Sequence, residues 1–150
     1  MMPLRTGTLR LLLMLAAGVL FMSCQGGRLF DVTIKPDQRI PIDDAGVHDG
    51  TADAGSVTLA YSYQVTSASD GSGRDLDVSG HIGKVQYKAD SIIVYLHFLD
   101  AGGAVIHSKP VYNSGFKSHR GGSFKETIPI PDGAASLGFT SNVRESRGHR

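Results

Sequence analysis

The segment VTLAYSYQVT, Val57 to Thr66, alternates strictly. Val57, Leu59, Tyr61, Tyr63 and Val65 are apolar or aromatic, and Thr58, Ala60, Ser62, Gln64 and Thr66 lie between them. Side chains of a strand point to opposite faces with period two, so this spacing specifies a half-buried strand rather than a helix. The alternation returns in DLDVSGHIG, through Leu76, Val78, Gly80 and Ile82. No segment carries convincing helical period, so the chain is expected to be all-β.

SIIVYLHFL, Ser91 to Leu99, is apolar almost throughout. A strand of that kind has both faces covered and belongs in the centre of a sheet. DAGG, Asp100 to Gly103, is a turn that can place glycine at positive φ. AVIHSKPVY returns as the hairpin partner, with Pro110 predicting a sheet edge or a bulge. SFKETIPI and SLGFTSNV add two strands around the turn PDG, and SASDGSGRD is the glycine-rich turn after Val57–Thr66. Six strands result, seven if LFDVTI (Leu29–Ile34) is counted. With 19 glycines and 41% apolar residues, the pattern predicts one β-sandwich over residues 57–144.

The first 24 residues have a different character. MMPLRTGTLR carries two arginines and no acidic residue, and twelve uncharged, mostly apolar residues follow from Leu11 to Met22. Ser23 and the chain's single cysteine, Cys24, come next. A basic start, a short apolar run and a small residue before the break predict an export signal over residues 1–23. The run is too short to span the hydrocarbon core as a stable helix. The segment resembles a bacterial lipoprotein signal peptide, with Phe21 and Met22 where that family usually carries Leu and a small residue. The resemblance implies cleavage before Cys24, lipidation of its sulfur and acylation of the new amino terminus. Two or three acyl chains anchor a protein firmly, at about 0.8 kcal/mol per buried CH₂. Gln25 after the cysteine implies, by the same analogy, the outer membrane of a Gram-negative bacterium. An ordinary signal peptide with an incidental cysteine is the alternative.

From Gln25 to Ser56 the chain is rich in Gly, Asp and Ala, and DDAGVHDGTADAG lacks apolar periodicity. Residues 24–56 are therefore expected to form a lipidated end and flexible tether, about 30 Å in root-mean-square length. The tail at 145–150 is basic and expected to fray.

Leu76 to Thr140 resembles the small immunoglobulin-like domains of bacterial envelope proteins, the FxLYD type among them. The residues that carry the likeness are VSG (Val78–Gly80), LHFLD (Leu96–Asp100), the following GG, AVIHS and RGGSFKETIPI. Of the F-x-L-Y-D letters, Asp100 alone matches. The resemblance implies an immunoglobulin-like antiparallel sandwich without enzymatic activity.

Chemistry is sparse. The whole chain has 15 Lys and Arg against 14 Asp and Glu, and loss of Arg5 and Arg10 with the leader leaves it near neutral. That excludes the basic field of a nucleic-acid binder. One cysteine excludes an internal disulfide. Asp43, Asp44, Asp49 and Asp53 lack the alternation and closing Glu of a calcium loop. His97 and His107 fall on paired strands, but a turn at 100–103 pairs 97 with about 106, which points the two rings to opposite faces and disfavours a metal site. No nucleophile elbow, phosphate loop or paired carboxylates are present, and no cofactor is expected. The loop YNSGFKSHRGGSF mixes aromatic and basic residues around glycine. Its Tyr112, Phe116, Lys117, His119, Arg120 and Phe124 form the candidate binding surface. A plain connecting loop whose aromatics cap the core is the simpler reading.

The expectation is therefore a lipid-anchored envelope protein whose non-catalytic sandwich binds another envelope protein. Glycan or small-ligand binding through the 112–124 loop is the alternative.

Overall fold

A computed structural model of the chain describes residues 32–85, 89–115 and 121–145. The leader, Cys24, Phe116, Lys117, His119, Arg120 and the tail after Glu145 lie outside the described residues. Eight strands form two antiparallel four-stranded sheets. The strands are β1 (Ile40–Pro41), β2 (Val47–Asp53), β3 (Val57–Ser67), β4 (Arg74–Val85), β5 (Ala89–Leu99), β6 (Val105–Asn113), β7 (Ser123–Pro129) and β8 (Ser136–Glu145). One sheet has the order β1-β8-β5-β6 and the other β2-β3-β4-β7. The chain crosses between sheets before β2, β5, β7 and β8, so β4 pairs with β7 and β5 with β8. This is the expected immunoglobulin-like sandwich, with eight strands rather than six or seven.

The alternating positions read from sequence line the core. Leu59, Leu76, Ile82, Ile92, Val94, Leu96 and Phe98 are buried between the sheets with Tyr63, Val78, Ile128, Leu137 and Phe139. β5 is central, between β8 and β6, as its apolar run requires. β6 is terminal, and its register shifts beside Pro110, between Val94↔Tyr112 and Tyr95↔Pro110. Proline has no N–H for the ladder, which explains both its edge position and the irregularity. Gly103 closes the β5–β6 turn at φ 85°.

The segment expected to be a flexible tether is a correction. Residues 47–53, from the middle of DDAGVHDGTADAG, are strand β2, paired without interruption from Val47↔Gln64 to Asp53↔Thr58. β2 sits at the rim of its sheet, where little core has to be filled. Its inward residues are His48, Gly50 and Ala52, all partly exposed. Gly50 is required because a Cβ there would come within 2.5 Å of the Tyr61 hydroxyl. Apolar periodicity is absent because Tyr61 and Tyr63 of β3 supply the bulk. The Tyr63 hydroxyl donates to the Pro41 carbonyl (2.7 Å) and accepts from the Asp43 N–H (3.3 Å), tying β1 to the second sheet.

The expected strand LFDVTI is corrected over its described part, since Val32–Ile34 are not strand. Ile34 is nonetheless 2% exposed. Gly138 lies between inward-facing Leu137 and Phe139, so a Cβ on it would point outward, and it would meet the Ile34 side chain. Arg39 donates from Nε to the Ile34 carbonyl and rests over Gly103. Residues 34–39 therefore strap the outer face of the first sheet, and Ile34 and Leu99 are buried there, apart from the main core.

Candidate functional site

The stems of the 112–124 loop are pinned to the sandwich. The Ile92 N–H donates to Ser114 Oγ (2.9 Å), and the Ile82 N–H donates to the Gly122 carbonyl (2.7 Å). A Cβ on Gly121 would fall on the Ile82 carbonyl, and one on Gly122 would lie 2.7 Å from the Tyr112 hydroxyl. Glycines are needed there because β4 and Tyr112 approach the backbone so closely. Tyr112 is half-buried against the core. Phe124 is 7% exposed and belongs to the core, with its ring over Gly80. Its assignment to a binding surface is therefore corrected: the Phe124 position faces inward on β7. The structure brings Tyr112 and Phe124 to the same end of the sandwich as packing residues.

A buried polar cluster forms around His97, whose hydroxyl partners sequence reasoning did not identify. His97 is 2% exposed on the outer face of β5, opposite Gly138, against which Ile34 packs. Its Nδ1 lies 2.7 Å from Ser108 Oγ on β6, and its Nε2 lies 2.7 Å from Thr140 Oγ1 on β8. A neutral imidazole has one N–H and one lone pair, so one hydroxyl accepts from the ring and the other donates to it. Burial lowers the His97 pKa to about 4. Such a ring is a weak base at neutral pH, and both its nitrogens are already engaged. It satisfies a buried polar position and leaves no site for a reacting atom. A histidine within an apolar strand was the available signal, but its hydroxyl partners stand on other strands.

His107 pairs with Phe98 rather than with Leu99's neighbours, because the β5–β6 register shifts between Phe98 and Leu99. Phe98 faces the core and His97 faces outward, so the two histidines lie on opposite faces, as expected. Among the described residues no group of three or more His, Cys, Asp or Glu is placed to hold a metal. Asp49 and Asp53 lie on β2, Asp44 meets Arg74 at 2.6 Å, and Asp43 Oδ1 accepts from the Ala45 N–H.

His97 stands opposite Gly138, whose outward side meets Ile34, which makes a direct test of enclosure by the strap available. Ile34→Ala is expected to cost about 2–3 kcal/mol of stability through lost burial. It should also raise the His97 pKa from about 4 toward 6.5 as water reaches the ring. Titration of the ring proton resonances by NMR checks this; an unchanged His97 titration would show that the strap does not enclose it.

The large hydrophobic residues exposed among those described are Val47 (60%) and Ile106 (41%). Both stand on terminal strands, β2 and β6.

No protein-family model matches the chain, and no curated protein matches it. Among solved structures, a similarity is found to the enzymatically active domain of tailspike protein 4 of bacteriophage CBA120. It has 15% sequence identity and a TM-score of 0.33, and it covers 73% of this chain. The chain spans 17% of the length of that structure.

Proposed function

We propose that this chain is an exported lipoprotein, anchored through Cys24 in the cell envelope, at the outer membrane of a Gram-negative bacterium. Its non-catalytic sandwich binds another envelope protein in an accessory or structural role. The observation that supports binding is the placement of exposed Val47 on the terminal strand β2, where backbone groups and an apolar side chain are offered together. The glycan reading is less supported, because Phe124 and Tyr112 of its six residues are used in packing.

The strap changes how such an anchor would work. With Ile34 held on the sandwich, the chain available to reach the lipid runs from Cys24 to about Val32. At no more than about 3.6 Å per residue, that is at most about 30 Å fully extended, shorter in practice. The domain would be kept near the headgroups, beside partners embedded in or lying on the same membrane.

Cross-linking in intact cells, with affinity capture and mass spectrometry, tests the reading with wild type beside Cys24→Ser. One envelope protein at near-stoichiometric yield, lost in the variant, is the expected result. Absence of any partner from wild type recovered in the membrane fraction would overturn it.

A further inference from the structure

We infer that β2 is a docking edge that accepts an extended basic segment of a partner protein by strand addition, an inference that rests on the binding function proposed above. The four terminal strands are not equivalent. β1 has two residues and ends on Pro41. β6 carries Lys109 and Pro110 and shifts register twice against β5. β7 carries Lys125 and ends on Pro129. Lys109 and Glu126, 3.1 Å apart, also link β6 to β7. Short length, proline, lysine and irregular register are the devices by which edges resist pairing. β2 has none of these four, and its only charged side chains are the carboxylates Asp49 and Asp53. It runs seven residues in unbroken register with no proline, lysine or arginine.

Its outward side chains identify the chemistry of the occupant. Val47, Asp49, Thr51 and Asp53 share the outer face of β2. Opposite them on β3 stand Gln64, Ser62, Ala60 and Thr58, none of them charged. Among the described residues neither Asp49 nor Asp53 meets a cation; Asp53 Oδ1 accepts from the Gly55 N–H. An antiparallel strand added to β2 would place its own residues opposite 53, 51, 49 and 47 in turn. Basic residues four apart, with an apolar residue two further on, would meet Asp53, Asp49 and Val47. Backbone hydrogen bonds would supply affinity and these alternate side chains specificity.

A second copy of this chain fits poorly. Antiparallel self-pairing about Gly50 sets Asp49 diagonal to Asp49 and Asp53 of the other copy. A shift of two residues either way places carboxylates directly opposite, and like charges at that spacing are destabilising.

The test uses the purified chain lacking residues 1–23 only if cells process it so, and otherwise the full chain in detergent. The probe is a labelled peptide, Lys-Thr-Val-Thr-Lys-Thr-Val, capped at both ends, read by fluorescence anisotropy and backbone amide exchange. Saturable binding is expected, with alternate amides protected within residues 47–53. Asp49→Lys combined with Asp53→Lys should weaken the probe at least tenfold and admit a version with Glu in place of both lysines. Both positions are exposed, and because Asp53→Lys also removes the Gly55 N–H contact, circular dichroism of the double variant checks that the sandwich is retained. Equal binding by wild type and the double variant would overturn the inference. So would protection outside β2, or self-association through β2 with no probe bound. The cell cross-linking separates the two ideas. If the double variant still captures the envelope partner, β2 docking fails while envelope binding stands. If wild type captures no partner but binds the probe at β2, envelope binding fails while the basic-strand edge stands.

Discussion

Phe124→Ala is expected to lower the unfolding free energy by about 3–5 kcal/mol, the range for removing a buried phenylalanine ring. The side chain is 7% exposed and packs in the core beside β4, where Gly80 leaves room for its ring. Truncation removes the contacts of the ring and leaves a cavity between β4 and β7, whose register places Gly80 opposite Phe124. Urea unfolding followed by circular dichroism measures the effect as a lower midpoint with little change of slope. A Phe124→Ala protein as stable as wild type, but impaired in ligand capture, would restore Phe124 to the binding surface. The expected loss is a substantial share of the stability of a domain this size, so reduced cellular abundance should accompany it.

The second large effect is a dependence on pH carried by His97. Its folded pKa is lowered to about 4 from an ordinary value of 6.5, because burial penalises the charged ring. Between those values the unfolded chain binds more protons at this site than the folded one, so acidification favours unfolding. The stabilising contribution is fully present above about pH 6.5, falls as pH drops toward 4, and changes no further below that. The interval sets an upper bound of about 3 kcal/mol, at 1.36 kcal/mol per pKa unit, which solvent screening reduces. Protonation would also force both ring nitrogens to donate, so the hydroxyl that donates to the ring would have to turn away. His97→Gln, which retains a donor and an acceptor without titrating, should flatten the stability profile between pH 6.5 and 4 relative to wild type. Stability curves that run parallel across that window would show that His97 is not the titrating group.

These two residues mark where sequence reasoning stops. Phe124 stands where the expected strand SFKETIPI meets the glycine-rich loop YNSGFKSHRGGSF, and the local pattern is the same for a ring that binds and one that packs. Its role follows from Gly80, more than 40 positions earlier, which becomes a neighbour only when β4 pairs with β7. His97 was legible as a polar residue in a covered strand. Ser108 and Thr140 become its partners through pairing of β5 with β6 and β8, and a register shift at Phe98 and Leu99 sets which β6 residue stands opposite. A bulge adds a residue without disturbing apolar content, so alternation alone does not locate it.

The sequence by itself determined the class of fold, the turns and the strands that fill the core. Interior strands such as β3, β4 and β5 must place apolar side chains at every second position or leave the core empty, and that requirement is written locally. The tertiary structure alone decided the fate of residues 34–53. β2 needs only His48, Gly50 and Ala52 on its inner side because Tyr61 and Tyr63 fill the space above them, so it carries no apolar period of its own. Ile34 is buried because Gly138 leaves room for it on the outer face of the first sheet. A rim strand and a strap draw their stability from surfaces that other segments build, and such surfaces exist only once the sheets have formed.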